Sequence, residues 1–155
     1  MARALLAAHT PNRKHEEMIH LKTDAEIEIL RENNILVSRT LAEVGKHIRP
    51  GVTTGELNRI AEEFIRDNGA VPAFLGYQGY PASTCISVNE VVVHGIPGDR
   101  VIKEGDIVSV DTGTFLKGFV GDSAYTFAVG EVSNEVKQLL EGTKDALYKG
   151  TAQAK

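Results

Sequence analysis

Residues 107–127, IVSVDTGTFLKGFVGDSAYTF, predict a β-hairpin that carries one aspartate on each strand. The two halves of this stretch are rich in β-branched and aromatic residues, which favour extended backbone. Lys117 and Gly118 separate the two halves and are suited to a tight turn. The hairpin therefore brings Asp111 and Asp122 into the same part of the molecule.

The register of this hairpin decides how the two aspartates meet. If the loop holds an even number of residues, the residue numbers of two cross-strand partners differ by an odd number. Asp111 and Asp122 are eleven residues apart, so their side chains lie on the same face of the hairpin. A turn at residues 116–117 sets them directly opposite, with Cβ atoms about 5 Å apart. A turn at residues 117–118 sets them on a diagonal of about 7 to 8 Å. Both registers allow a shared cation or a close cation pair, whereas without a cation one carboxylate would take up a proton.

The neighbours of Asp111 predict a polar front face and an apolar back face. Ser109 and Gly113 share the face of Asp111, while Val108 and Val110 point to the other side. Such a front face suits the wall of a binding site. The same spacing also fits a solvated hairpin with two surface acids, since aspartate is mostly an exposed residue.

The composition fits one domain with a substantial core. The chain has 155 residues and a formal net charge of −4 at pH 7. Its basic residues are scattered, which argues against nucleic acid as the main ligand, and no apolar run reaches the length of a membrane span. The single cysteine, Cys85, excludes an internal disulfide and fits a reducing compartment. We therefore expect a cytoplasmic protein.

Residues 1–17 differ from the rest and are interpreted as a disordered leader or appended segment ahead of the folded residues 18–155. Thr23 is predicted to cap a long helix that ends before Pro50, with Asn34 interrupting its apolar stripe. The inward positions are predicted to be Ile27, Leu30, Val37, Leu41, Val44 and Ile48.

A second helix is predicted from a cap at Thr53 to residues 67–69, and a third over residues 133–147. The inward residues of the second helix are predicted to be Leu57, Ile60, Ala61 and Phe64. Short extended segments at residues 85–88 and 91–94 precede the hairpin. This order favours an α+β fold in which helices pack on an antiparallel sheet.

Three stretches of the chain together carry a family resemblance. They are GYQGYP at residues 76–81, CISVNEVVVHGIP at residues 85–97, and Asp111 followed eleven residues later by Asp122 in a Gly-Asp pair. In this order and spacing they closely resemble type I methionine aminopeptidases, and the similarity extends over about residues 18–150. Type II enzymes and proline-specific aminopeptidases share the aspartate pair but look different around the histidine, so type I is favoured.

The resemblance implies the first half of a pita-bread fold, the fold of creatinase and these aminopeptidases, with a dinuclear metal site between its two halves. Asp111 and Asp122 match two aspartate ligands, and His94 matches the catalytic histidine. The residues that match the family's pocket for the methionine side chain are Phe74, Tyr77, Tyr80 and Cys85.

The implied activity is that of a metallo-exopeptidase that removes the N-terminal methionine from nascent polypeptides. In the mechanism that the resemblance implies, two divalent ions such as Mn²⁺, Fe²⁺, Co²⁺ or Zn²⁺ would activate water for attack on the first peptide carbonyl. His94 would stabilise the tetrahedral intermediate or the departing nitrogen. The resemblance also implies a monomer, with the ribosome as a candidate partner.

The family's second half supplies a histidine and two glutamate ligands, one of which serves as general base, and residues 18–155 contain no match to them. We therefore expect an incomplete catalytic domain that binds metal weakly and has little or no activity alone. One alternative is a non-catalytic pita-bread module that binds peptides or proteins. Another is an aminopeptidase with proline specificity.

Overall fold

The computed structural model describes residues 20–154, so the predicted leader at residues 1–17 lies outside the described residues. The elements run in the order α1 Asp24–Gly45, α2 Thr54–Asp67, β1 Val71–Pro72, a 3₁₀ turn Tyr77–Gly79, β2 Thr84–Val88, β3 Ile107–Leu116, β4 Phe119–Ala128 and α3 Asn134–Thr151. The strands form one antiparallel sheet. The predicted α+β class is therefore confirmed.

Strand β3 is the centre of the sheet. It pairs with β4 along its whole length on one side, and with β1 and β2 on the other. Helices α1 and α2 pack on one face, which we call the back face, where Val108 and Val110 are fully buried. The opposite face of the sheet, which we call the front face, carries the two aspartates.

The helix caps form as the sequence predicts. The Thr23 hydroxyl accepts the Glu26 N–H at 3.3 Å, and the Glu26 carboxylate accepts the Thr23 N–H at 2.8 Å, which completes a capping box. At the start of α2 the Thr53 hydroxyl accepts the Glu56 N–H at 3.1 Å. Both helices therefore begin where polar side chains satisfy otherwise unpaired backbone donors.

Most of the predicted inward positions lie in the core. Ile27 is 41% exposed, however, and the structure buries Leu36 and Ile65, which the apolar pattern did not select. These two residues form a second, smaller cluster with Ala70 beyond the end of α2. The predicted positions that are buried are Val37, Leu41, Val44, Leu57 and Ala61.

The asparagine that lies on the buried side of α1 is Asn33. The prediction that Asn34 interrupts the apolar stripe of this helix was therefore wrong. Asn34 is exposed and donates to the Leu30 carbonyl of its own helix at 2.8 Å. Asn33 is fully buried and donates to the carbonyls of Thr114 and Phe119 at 3.2 and 2.8 Å, while its amide oxygen accepts the Thr114 hydroxyl. One side chain thus attaches α1 to both strands of the hairpin.

Residues 91–94 do not form the predicted extended segment. The Val91 N–H donates to the Val88 carbonyl at 3.2 Å in a turn that includes Asn89 at φ +54, and Val92 is 85% exposed. The Asn89 side chain also bonds to the loop that precedes β3. Turn formation at asparagine therefore overrides the β-preference of three successive valines.

Helix α3 lies wholly within the described part of the chain, and all of its residues keep at least partial exposure. Ser133 caps it as predicted, with its hydroxyl accepting the Val136 N–H at 3.3 Å, and the helix continues beyond the predicted end at residue 147 to Thr151. Within residues 20–154, no helix is both long and apolar enough to cross a bilayer.

We predict that Asn33→Ala destabilises the chain far more than Asn34→Ala. The first change leaves the buried Thr114 hydroxyl and two backbone carbonyls without their partner, at a cost of about 1–3 kcal/mol for each group that stays unsatisfied. The second removes an exposed bond within the helix and should alter the free energy of unfolding by less than about 0.5 kcal/mol. Urea unfolding of both variants measures the difference, and equal midpoints would contradict it.

Candidate metal centre and substrate pocket

A two-residue turn sets the register of the hairpin. The last strand pair is Leu116 with Phe119, which leaves Lys117 and Gly118 as the turn. Both turn residues have positive φ, +50 and +87, as a type I′ turn requires. Of the two registers that the spacing allowed, the structure has the turn at residues 117–118.

This register places the aspartates on a diagonal of the front face. Asp111 pairs with Ala124, and Asp122 pairs with Gly113, so the two acids are offset by one step along the same face. Asp111 is half-buried and Asp122 is exposed, and both line one pocket. The sequence-based expectation of a shared face is confirmed.

The two acids are in electrostatic conflict. Burial raises the pKa of the Asp111 carboxyl, the negative charge of Asp122 and a hydrogen bond between the two carboxyl groups raise it further, and His94 lowers it. Without a counter-charge the pair tends to retain a proton. A divalent cation with oxygen ligands would remove this conflict, so the donor set fits such an ion.

In the described part of the chain, the aspartate pair has no third protein ligand beside it that would complete a metal site. Among residues 20–154, no three histidine, cysteine, aspartate or glutamate side chains lie close enough together to form a metal site. Two carboxylates leave most coordination positions of a cation to water or substrate, which is consistent with weak binding.

Gly113 makes room for an aromatic wall beside Asp122. A Cβ atom at residue 113 would lie 2.7 Å from the Phe74 ring, so only glycine allows this approach. The Ala73 N–H donates to the Gly113 carbonyl at 2.9 Å and holds the segment in place. The ring of Phe74 therefore borders the aspartate pair.

A cavity of about 580 Å³ lies over the front face, between the loop that follows β1 and the turn that contains His94. The structure brings every predicted site residue to this cavity, although their roles stay predictions. They are Phe74, Tyr77, Tyr80, Cys85, His94, Asp111 and Asp122. The lining residues that sequence reasoning missed all lie inside the quoted stretches at residues 76–81 and 85–97 and could have been included. They are Gln78, Gly79, Pro81 and Ile96.

A second groove, of about 640 Å³, follows the outer side of α1. It is lined by apolar, amide, hydroxyl and arginine side chains, without a carboxylate, histidine or thiol. The front-face cavity combines acids, a histidine and aromatic walls, which makes it the candidate active site.

Cys85 forms part of the floor of the cavity. It is 5% exposed and pairs with Asp111 across β2 and β3, so both side chains lie on the front face. Burial raises the pKa of the thiol, a hydrogen bond with Tyr80 lowers it, and the charges of Asp111 and Asp122 raise it. The thiol therefore stays protonated and behaves as a small, polarizable apolar group.

Tyr80 and Tyr77 have different environments. Tyr77 is 67% exposed, whereas Tyr80 is half-buried and its hydroxyl donates to the Thr84 and Gly95 carbonyls at 3.1 and 3.3 Å. Burial raises the pKa of the Tyr80 phenol well above its ordinary value, and Cys85 adds to the shift. Tyr80 is therefore a permanent hydrogen-bond donor.

His94 lies in a turn. It is exposed, has φ +59, and precedes Gly95, where a Cβ would lie 2.3 Å from the Ile86 carbonyl oxygen. Gly95 can thus approach β2 more closely than any other residue could, and this approach carries His94 to the edge of the cavity.

Residues 28–155 match the sequence model of metallopeptidase family M24. The chain is 53% identical over 138 residues to methionine aminopeptidase 1 of Bacillus subtilis, covering 89% of this chain and 56% of that protein. It is 50% identical over 138 residues to the methionine aminopeptidase of Clostridium acetobutylicum, covering 88% and 55%. The chain thus spans about half the length of the curated relatives it matches.

Solved structures agree with this assignment. The methionine aminopeptidase of Rickettsia prowazekii superposes with a TM-score of 0.84 at 41% identity, over 86% of this chain and 54% of that one. An Xaa-Pro dipeptidase of Bacillus anthracis gives a TM-score of 0.66 at 32% identity, over 76% and 32%. The resemblance to methionine aminopeptidases and to half of a pita-bread fold is confirmed, and the chain belongs to metallopeptidase family M24.

Proposed function

We propose that the front-face cavity is part of a methionine aminopeptidase site, which removes the N-terminal methionine of cytoplasmic polypeptides with the help of divalent metal. The observation that carries this proposal is the diagonal pair of Asp111 and Asp122 beside His94 in one cavity. The names of the relatives from Bacillus subtilis and Clostridium acetobutylicum support the choice of substrate.

Each group of residues has a separate task in this proposal. Asp111 and Asp122 would hold the cation from the floor of the cavity, and the exposed imidazole of His94, which lines the same cavity, would donate to a reacting oxygen or nitrogen. When bound there, a divalent cation would supply Lewis-acid chemistry, namely a more acidic water and a polarised peptide carbonyl. The substrate's amino terminus would therefore point toward the aspartates.

The rest of the cavity suits a methionine side chain. Phe74 and Tyr80 offer aromatic surfaces, and the protonated thiol of Cys85 offers a small polarizable floor. A thioether makes favourable contacts with aromatic rings and is flexible enough to fill an irregular cavity. The walls therefore select for an unbranched, polarizable side chain over a charged one.

We predict that Mn²⁺ binding depends on both aspartates. Titration calorimetry of the 155-residue chain should show weak binding, and Asp111→Asn and Asp122→Asn should each lower the affinity by at least about tenfold, or about 1.4 kcal/mol. Asp145→Asn, which changes an exposed acid on α3, is the matched control and should leave the affinity unchanged. Equal binding by all four proteins would favour the alternative of a non-catalytic binding module.

We predict that Asp111→Asn stabilises the metal-free chain at neutral pH. Because the pKa of Asp111 is raised in the folded state, the folded chain binds this proton more tightly than the unfolded chain does. The stability linked to this proton is present at low pH and is lost as the pH rises above about 4 through the raised pKa. Urea unfolding from pH 4 to pH 7 should therefore show a smaller decline in the free energy of unfolding for Asp111→Asn. A steeper decline for the variant would contradict the raised pKa.

We predict that the 155-residue chain alone releases little or no methionine from a Met-Ala-Ser peptide in Mn²⁺ or Co²⁺. The physical reason is that two carboxylates on one hairpin leave a cation mostly hydrated and exposed. Methionine aminopeptidase 1 of Bacillus subtilis, assayed in parallel, is the positive control. Robust turnover by the chain that Asp111→Asn abolishes would show that these residues suffice for catalysis.

A further inference from the structure

Two side chains hold the turn that contains His94, and the proposed function does not assign this role to either of them. We propose that the Tyr80 and Ser87 hydroxyls are positioning groups for His94, because together they bind both backbone groups of Gly95, the residue that follows it. In this role the hydroxyl of Tyr80 acts on the histidine, while its ring forms the wall of the cavity. The inference rests on the proposed function, in which His94 must face the aspartate pair.

The backbone of His94 needs external support. Its φ of +59 is disfavoured for a residue with a Cβ atom, and such conformations persist only where the surrounding structure imposes them. The imidazole is exposed, so packing of its own side chain does not impose the conformation. The support must come from the neighbouring peptide groups.

Gly95 supplies that support through a dense set of contacts with β2. Its N–H donates to the Ser87 hydroxyl at 3.1 Å. Its carbonyl accepts the Ile86 N–H at 2.8 Å and the Tyr80 hydroxyl at 3.3 Å. Ser87 is 4% exposed and lies in β2, so the acceptor is a buried hydroxyl oxygen of the sheet. The peptide groups that flank the Cα of Gly95 are therefore both bound.

The Tyr80 hydroxyl also joins two parts of the site. Its single hydrogen is shared between the Thr84 carbonyl at 3.1 Å, at the start of β2, and the Gly95 carbonyl at 3.3 Å. The Tyr80 carbonyl in turn accepts the Gly76 N–H at 2.8 Å, which closes the loop on which the ring is carried. The aromatic wall and the turn of His94 are thus connected through one hydroxyl, so a shift in one is transmitted to the other.

The test uses Tyr80→Phe, which keeps the ring and removes only the hydroxyl. Ser87→Ala removes the second contact, and Tyr77→Phe is the matched control because its hydroxyl contacts the exposed Gln78 side chain. The first readout is the backbone order parameter of His94 and Gly95 from ¹⁵N relaxation of the 155-residue chain. The second is the broadening of the His94 ring protons by Mn²⁺, compared with that of the amides of Thr112 and Ser123 beside the aspartates.

We expect Tyr80→Phe to lower the order parameters at His94 and Gly95 from the rigid value of about 0.85 toward the flexible range below about 0.6. Mn²⁺ should still broaden the two amides, but its effect on the His94 ring should fall several-fold. Ser87→Ala should act in the same direction and Tyr77→Phe should act on neither readout. A residue with only a packing role would leave the ring broadening unchanged.

The outcomes separate the two proposals. Unchanged order and unchanged ring broadening in Tyr80→Phe would overturn the positioning role and leave the metal site intact. If Mn²⁺ broadens neither the amides nor the His94 ring in the wild-type chain, the metal site fails, and the order parameters alone decide the positioning role. Should Ser87→Ala fail to fold, Tyr80→Phe decides it by itself.

Discussion

The register of the β3–β4 hairpin is the constraint on which the site depends. Side chains alternate between the two faces of a strand, so a slip of one residue would send one aspartate to the back face and separate the pair. Two features hold the register. The turn residues Lys117 and Gly118 adopt positive φ, which matches the twist of the strands. Asn33 of α1 binds carbonyls on both strands near the turn, so the helix can dock only on this pairing. The register is therefore fixed locally by the turn and at long range by a buried side chain.

The two faces of β3 have opposite energetic roles. On the back face Val108 and Val110 are fully buried against the helices, and their burial stabilises the sheet. On the front face Asp111 is held beside Asp122 with a raised pKa, which means that its ionised form is disfavoured in the metal-free fold. The apolar contacts on one side thus offset the electrostatic cost on the other. A bound cation would neutralise the repulsion between the two acids. It would stabilise the folded chain, because the aspartates lie close together only in the folded state.

Periodicity and spacing predicted much of this architecture, and their failures have physical causes. The odd spacing of the aspartates predicted a shared face for any loop with an even number of residues, but the choice between opposed and diagonal pairs depended on turn geometry that composition alone left open. Asn33 and Asn34 are adjacent on a helix, and only the docking direction of α1 decides which one is buried. The valines before His94 favour a strand, yet a turn at Asn89 prevails. The pocket residues came from family resemblance, because a tyrosine or a cysteine alone is as easily a core residue.

The walls of the cavity are held by hydrogen bonds that do not involve the two aspartates, and this bears on how the site would work. Its walls come from the loop that follows β1 and from the turn that contains His94, and both are attached by hydrogen bonds. The Ala73 N–H donates to the Gly113 carbonyl, the Tyr80 hydroxyl to the Thr84 carbonyl, and the Ile86 N–H to the Gly95 carbonyl. None of these contacts involves the carboxylates. The aromatic wall and the histidine are therefore positioned by the fold itself, and metal binding would act on the two aspartates without having to organise the rest. Such preorganisation lowers the cost of binding, since the groups that meet the substrate have already lost most of their freedom on folding.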